Sequence, residues 1–271
     1  MDNTGVIIQA RRSSTRLKDK IIMNIPALSN NTMLCHVITR AKKACGNVIV
    51  ATSQENDDDI TEIEAKKYGA KVFRGSLDDV LLRYIKAAEK YNINRIVRIT
   101  ADCPCIDYNI ITNCIKKHIN TNADYVSNVE KRTFPHGLDV EVVSLDALYK
   151  TNEEEKDIKI REHVTWYIRQ NSHFKKEDYI EENGFNYSDI RVTVDTNEDY
   201  ALMNLIFYML GNDFGYKEMV NLFQTQPWLK LLNNNIYQKY VCKTNEDEIK
   251  EAIKLLELNG MIYTKNLLEQ K

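Results

Sequence analysis

Short apolar runs alternate with longer stretches of helical spacing through the first hundred residues, and that alternation narrows the architecture sharply. Residues 6–10, 47–52, 70–73 and 95–100 read as strands, and residues 33–44, 58–68 and 77–91 as helices between them. In the third helix Leu81, Leu82, Ile85 and Ala88 fall on one side, and Gly69 stops the second. Strand–helix alternation of this kind predicts an α/β fold: a Rossmann-like, mostly parallel mixed sheet flanked by helices. Such sheets bind ligands beyond the carboxyl ends of their strands, near a switch in strand order. The loops after Ala10, Thr52 and Thr100 all leave strand ends of that kind, so they can converge on one crevice.

The second half is less regular. Residues 124–128 and 138–144 read as strands joined through a loop holding Arg132 and His136, with Asp139 and Glu141 on one half-exposed face of the second. Residues 159–170 read as a helix, 190–194 as a strand, 198–210 as a helix, and 245–258 as a helix ending at Gly260; residues 212–243 are mixed. The 271 residues, 43% of them apolar, suit one large domain, assigned here to 1–228, with a helical C-terminal extension over 229–271.

Charge and cysteine content exclude several classes. A net charge of −2 gives no global reason to bind nucleic acid or an anionic membrane, so neither is expected as a partner. No apolar stretch is long enough to span a bilayer, and the opening Met1-Asp2-Asn3 lacks a secretory pattern, so a cytoplasmic location is expected. The six cysteines have no zinc-like spacing; Cys103 and Cys105 are too close for the usual ligand pair, and reduced thiols are the expectation.

The first strand runs directly into a polar loop with Arg11, Ser13, Ser14, Arg16 and Lys20. Hydroxyls, backbone N–H groups and cations at a strand exit make an anion site. The Walker glycine–lysine pattern and the spaced-glycine dinucleotide fingerprint are both absent, so this loop must meet phosphate mainly with side chains. Read alone, it is equally a solvated basic turn. Asp102 and Asp195 each leave a strand end and are candidate ligands for a hard cation such as Mg²⁺, which needs few protein oxygens. Each has a plainer reading as a turn or helix cap, with Thr196 an alternative cap for the helix after Asp195.

Six segments recur as an ordered set: Ile8-Gln9-Ala10-Arg11 through Lys20, Arg74-Gly75-Ser76-Leu77-Asp78-Asp79, Thr100-Ala101-Asp102-Cys103-Pro104, Phe134-Pro135-His136-Gly137-Leu138-Asp139, Arg161-Glu162-His163-Val164-Thr165 and Arg191-Val192-Thr193-Val194-Asp195. From about Val6 to about Leu210 the chain resembles the SpsF-like cytidylyltransferases, relatives of the CMP-KDO synthetases. The resemblance implies the nucleotide-diphospho-sugar transferase (GT-A-like) fold, and a Mg²⁺-dependent reaction of CTP with a small anionic acceptor that releases pyrophosphate. It implies precursors of surface polysaccharide or capsule as products, and a homodimer.

Carried over residue by residue, the resemblance assigns catalysis to Arg16, Lys20, Asp102 and Asp195, with the two aspartates holding the metal. CTP would be met by Ala10, Arg11, Ser13, Ser14, Arg16 and Lys20 on its phosphates, and by Ala51, Thr52, Ser53, Arg74, Gly75 and Ser76 around its base. Cytosine rather than uracil follows only from the resemblance. The acceptor side would use Arg132, His136, Asp139, Glu141, Arg161 and His163, with Glu162 beside them. A phosphate or carboxylate acceptor is already ionised at neutral pH and needs no activating base.

The chain departs from the family pattern at Arg12 and at Lys18-Asp19, where Met and Pro-Gly are more usual. The lost glycine leaves the loop conformation open, and Asp19 sets a negative charge near the phosphates unless it turns away. Two other classes remain at this point. A GT-A-type glycosyltransferase would need an Asp-x-Asp motif; Asp57-Asp58-Asp59 has the letters but reads better as an acidic first turn of a helix. A non-catalytic nucleotide-binding module would not need both Asp102 and Asp195.

Overall fold

The computed structural model describes residues 3–12, 16–236 and 245–269. Among the described residues seven strands form one sheet: β1 (Thr4–Gln9), β2 (Val48–Ser53), β3 (Lys71–Gly75), β4 (Arg95–Thr100), β5 (Tyr125–Ser127), β6 (Glu141–Ser144) and β7 (Lys176–Asp178), in the order β3-β2-β1-β4-β6-β5-β7. The first four strands in chain order are parallel, β6 runs antiparallel to both β4 and β5, and β7 is parallel to β5. The chain winds outward from β1 to β3 and then crosses to β4, so the order switches at β1. Gln9 is level with both Ala51 and Thr100, and Ser53 with Gly75. The loops after β1, β2, β3 and β4 therefore open on one edge at one height, as expected for a binding crevice.

The helices are α1 (Met33–Ala44), α2 (Asp59–Lys67), α3 (Val80–Lys90), α4 (Tyr108–Thr121), α5 (Leu145–Glu154), α6 (Ile158–Arg161), α7 (Trp166–Gln170), α8 (Asn197–Leu210), α9 (Tyr216–Thr225), α10 (Asn245–Leu258) and α11 (Ile262–Glu269). Thr32, Asp79, Asp107 and Ser144 cap α1, α3, α4 and α5 by accepting backbone N–H bonds. The period-two alternation of β1 divides the core: Val6 and Ile8 face the layer holding Val37, Ile111 and Ile206, while Ile7 faces Leu81, Tyr84 and Leu148. Burying an Ile side chain such as Ile7 contributes about 1.5–3 kcal/mol, and both faces are covered this way. Among the described residues no helix is long and apolar enough to cross a membrane.

Three segments differ from the sequence expectations. Residues 190–194 are extended but join no sheet strand; their backbone pairs with His136 and with Asp102 instead, His136 N–H to Ile190 O at 2.8 Å and Val194 N–H to Asp102 O at 2.9 Å. The helix expected over 159–170 is two short ones, α6 and α7, broken where Val164 takes φ of 52°, a conformation that ends α-helical hydrogen bonding. The expected strand 138–144 is regular only from Glu141, and Glu141, Val142 and Val143 are all buried because α4 and α5 pack on β6 and Val143 joins the core cluster of Leu148 and Ile168. Helices α4, α5 and α9 and strand β7 carry no clear signal in the sequence pattern. The 3-10 turn Pro227–Leu232 spans position 228/229 and seats Leu229, fully buried, in the main core. Helices α10 and α11 pack on each other and bury none of their residues.

Candidate active site

At the crevice the chain brings two aspartates to one point. Asp102 follows β4, and the extended segment 190–195 is stitched to it: Asp102 O accepts from Val194 N–H and, at 3.2 Å, from the Thr193 hydroxyl. On its other side the segment lies against His136-Gly137, with Val192 N–H donating to His136 O at 2.7 Å. Gly137 has φ of +107°, and a Cβ there would sit 2.5 Å from the Val192 carbonyl carbon, so only glycine permits this backbone approach. The approach delivers Asp195 beside Asp102.

Lys20 binds both. Its Nζ donates to Asp102 Oδ2 at 2.8 Å, to Asp195 Oδ1 at 2.9 Å and to Val194 O at 2.8 Å, which uses all three ammonium donors. Burial works against the Lys20 charge, but the two carboxylates outweigh it and raise its pKa above the ordinary value. Burial likewise works against ionised Asp102, yet Lys20 holds that carboxyl down to about 2. Asp195 Oδ2 also meets Arg16 at 3.0 Å and Arg191 at 2.9 Å. Arg191 forks onto Asp199, whose side chain is fully buried, and Asp199 accepts the Asp195 backbone N–H at 2.9 Å and an Asn233 amide N–H at 2.8 Å. Thr196 and Asp199 form the reciprocal capping box of α8, which leaves the Asp195 side chain free of that duty.

The phosphate-loop expectations divide. Arg16 and Lys20 reach the aspartate pair, and Arg11 lies across the crevice in a 2.8 Å pair with Glu162. Ser13 and Ser14 lie outside the described residues. The two departures from the family pattern meet each other: the Arg12 guanidinium forks onto Asp19, with its second contact at 3.1 Å. Asp19 takes φ of 59°, the left-handed region that a glycine would fill easily. Its carboxylate is thereby engaged by a cation rather than bare toward the crevice.

Around the expected base position, Ala10 N–H donates to Ala51 O at 3.2 Å, while Thr52 and Ser53 are buried at the end of β2. Arg74 spends its guanidinium on the local wall, donating to Ser53 O at 2.9 Å, to Glu55 O at 2.7 Å and to Asp59 and Glu62. Gly75 O accepts from Gln54 N–H at 3.1 Å, and Ser76 Oγ from Asp79 N–H at 3.1 Å.

The sequence pattern places Asp58 in the acidic start of a helix. The structure turns its buried carboxylate inward: Oδ1 accepts Arg12 N–H at 2.8 Å, and Oδ2 accepts Ser53 N–H at 3.2 Å and the Ser53 hydroxyl. Although burial opposes its charge, these donors lower its pKa. Three consecutive aspartates in a sequence give no sign of which one points in.

On the acceptor side, Arg132 and Asp139 form a two-pronged pair, at 2.5 and 3.0 Å, with His136 close by. Burial lowers the His136 pKa, so its ring is neutral at pH 7. Glu141 is committed to Arg98 at 2.9 Å and to the Thr165 hydroxyl. Arg161 is committed to Asp79 at 2.7 Å, to Asn152 and to Glu155 O, bracing α6 against the start of α3. His163 lies in the turn between α6 and α7. Arg132, His136 and Asp139 are thus grouped near the aspartate pair, whereas Glu141 and Arg161 act within the walls.

The donor set suits a hard divalent cation. Two carboxylates already converge on one ammonium, and Mg²⁺ typically takes one or two protein carboxylates while keeping waters and binding substrate phosphate. Among the described residues no group of three or more His, Cys, Asp or Glu side chains clusters as a self-sufficient metal cage. Two converging carboxylates with Lys20, Arg16 and Arg191 against them, at a strand-end crevice, are groups able to hold a cation and a polyanion.

The sequence model of the family described as cytidylyltransferase matches residues 5–269. The chain belongs to the cytidylyltransferase family. Its members are nucleotidyltransferases, and this cytidylyltransferase is 30% identical over 237 residues to the spore coat polysaccharide biosynthesis protein SpsF of Bacillus subtilis, covering 84% of this chain and 96% of SpsF. A cytidylyltransferase from Leptospira borgpetersenii superposes with a TM-score of 0.81 at 36% identity, over 88% of this chain and all of that one. A CMP-2-keto-3-deoxy-manno-octonic acid synthetase solved with CTP shares the fold, with a TM-score of 0.59 and 14% identity over 76% of this chain and 99% of that one. Family membership sets aside the glycosyltransferase and non-catalytic readings.

Proposed function

We propose that this cytidylyltransferase joins CTP to a small anionic acceptor, a phosphorylated compound or a sugar acid, and releases pyrophosphate. An acceptor oxygen attacks the α-phosphorus of CTP, one P–O bond forms, and the bond to the leaving pyrophosphate breaks. The observation that carries this reading is the convergence of Asp102 and Asp195 on one point, with Lys20 and Arg16 in contact with them.

Asp102 and Asp195 would hold a Mg²⁺ ion, which supplies a Lewis acid and offsets the charge of the triphosphate. Arg16 and Lys20 bind and orient the triphosphate, Arg by a fork and Lys as a point charge. Arg191 and Asp199 hold the Asp195 carboxylate in place. Arg11 adds positive charge at the crevice, and Arg132 with neutral His136 orients the acceptor. No proton need leave the acceptor, so the site works by positioning and electrostatic stabilisation.

The role of SpsF in spore coat polysaccharide biosynthesis supports a product that is a precursor of surface polysaccharide, capsule being one such polymer, and the synthetase complex supports the choice of CTP. The five described cysteines are free thiols, which suits the reducing cytoplasm. Helices α10 and α11 leave Leu258, Met261, Ile262, Tyr263 and Leu267 between 48% and 79% exposed, which supports a homodimer contact through this hairpin.

The test is pyrophosphate release from CTP and Mg²⁺ across a panel of sugar phosphates, 2-keto sugar acids and phosphorylated alcohols. Release that requires CTP, metal and one acceptor class supports the reading. Release from a different nucleotide alone overturns the base assignment.

A further inference from the structure

We infer that Asp58 is a positioning residue that sets the distance between the triphosphate half and the base half of the CTP site. The inference rests on the reading above, in which the loop after β1 meets the phosphates and the end of β2 meets the base.

Asp58 stands at the N-cap position of α2, yet its carboxylate caps none of that helix's N–H groups. With its side chain turned inward, it joins two segments from different strands. One oxygen takes the backbone N–H of Arg12, where the phosphate loop begins, and the Thr61 hydroxyl at 3.2 Å. The other takes both the backbone N–H and the hydroxyl of Ser53, where β2 ends. A carboxylate is an acceptor at both oxygens and can satisfy donors from both sides at once, which a neutral amide of the same shape cannot. Bonds to an ionised acceptor are also the stronger kind.

Arg12 passes the restraint on. Its backbone is fixed by Asp58, and its side chain grips Asp19, the neighbour of Lys20. The start and the end of the phosphate loop are therefore tied to the same residue, and that residue is tied to β2. A ligand that spans both halves gains from this fixed spacing, because binding one end presents the other at high effective concentration. A fragment that touches one half gains nothing from it.

The test is calorimetric binding of CTP, CMP and tripolyphosphate, each with Mg²⁺, to the wild type, Asp58→Asn and Thr61→Val. For Asp58→Asn, CTP affinity should fall ten- to a hundredfold while the two fragments stay within about threefold of wild type. In turnover, KM for CTP should rise with KM for the acceptor unchanged. Thr61→Val, which touches the helix side of Asp58 only, should keep the wild-type ratio of CTP to fragment affinity. Should Asp58→Asn not fold, Asp58→Glu takes its place, keeping the charge and changing the reach.

Equal weakening of all three ligands, matching effects in Thr61→Val, or no change in CTP affinity would each overturn the inference. Failure of the wild type to bind CTP would instead overturn the reading on which it rests.

Discussion

Lys20 Nζ lies 2.8 Å from Asp102 Oδ2, so the principal cation of the phosphate loop rests on a carboxylate assigned to the metal. The same ammonium reaches Asp195, and Arg16 leans on the far oxygen of Asp195. On the proposed reading Asp102 and Asp195 would hold a divalent ion, and Arg16 and Lys20, which pair with them here, would then be free to bind phosphate.

Lys20→Met should separate these two roles. Removing the ammonium leaves two close carboxylates without their shared counter-ion, so Mn²⁺ should bind more tightly in the absence of nucleotide. Stability without metal should fall by about 3 kcal/mol, as expected for breaking a buried pair, and Mn²⁺ should restore it. Turnover should fall about a hundredfold or more, the scale for loss of an electrostatic stabiliser. Calorimetry with Mn²⁺ and thermal unfolding check this; unchanged or weaker Mn²⁺ binding contradicts that reading.

Asp102→Ala and Asp195→Ala should each remove turnover while leaving the far-ultraviolet circular dichroism of the fold. Asp199→Asn should act differently. It weakens the fork from Arg191 and the hold on the Asp195 backbone, so it should cost about 3 kcal/mol of stability and lower activity through a displaced Asp195. Full activity in both alanine variants would rule out the metal assignment.

A pH effect on stability follows from His36. It is buried, its Nε2 is 2.6 Å from Ile25 O, and burial lowers its pKa to about 4. The unfolded chain titrates near 6.5, so between pH 6.5 and 4 it binds more protons than the folded chain, and stability falls as the pH falls. The span corresponds to about 3 kcal/mol. His136, also lowered by burial, acts in the same sense. Urea unfolding of wild type and His36→Gln between pH 4 and 7 checks this: the wild-type slope should be steeper, and equal slopes contradict it.

The C-terminal hairpin predicts a change in assembly. A chain ending at residue 236 should keep the sheet and the crevice residues, because α10 and α11 bury none of their own side chains. Light scattering should find the full chain as a dimer and the shortened chain as a monomer. A shortened chain that stays dimeric would place the contact elsewhere.

Much of the architecture was legible because local patterns and tertiary roles agree in β1, β2 and β4, where apolar runs are buried on both faces, and in the partly exposed edge strand β3. The ordered motifs also located Asp102, Asp195 and Lys20. Segment 190–195 misled because an extended chain has the same alternation whether it pairs with a strand or with loop carbonyls, and here His136 and Asp102 supply the partners. Asp58 and Asp199 were hidden for a related reason. Each looks like an ordinary acidic helix start, and only the folded chain reveals that Asp58 turns to Arg12 and Ser53 and that Asp199 serves both α8 and Arg191. Asp19 could be flagged as a departure, but its left-handed backbone and its pairing with Arg12 depend on a contact seven residues back.

The most direct test of the central claim is thermal unfolding with Mg²⁺ and each of CTP, UTP, GTP and ATP. A ligand at a hundredfold excess over its Kd stabilises the fold by about 2.7 kcal/mol. A cytidylyltransferase with this site should show a metal-dependent rise in Tm with CTP and little with the others. No shift with CTP under saturating Mg²⁺, or an equal shift with all four, would contradict it.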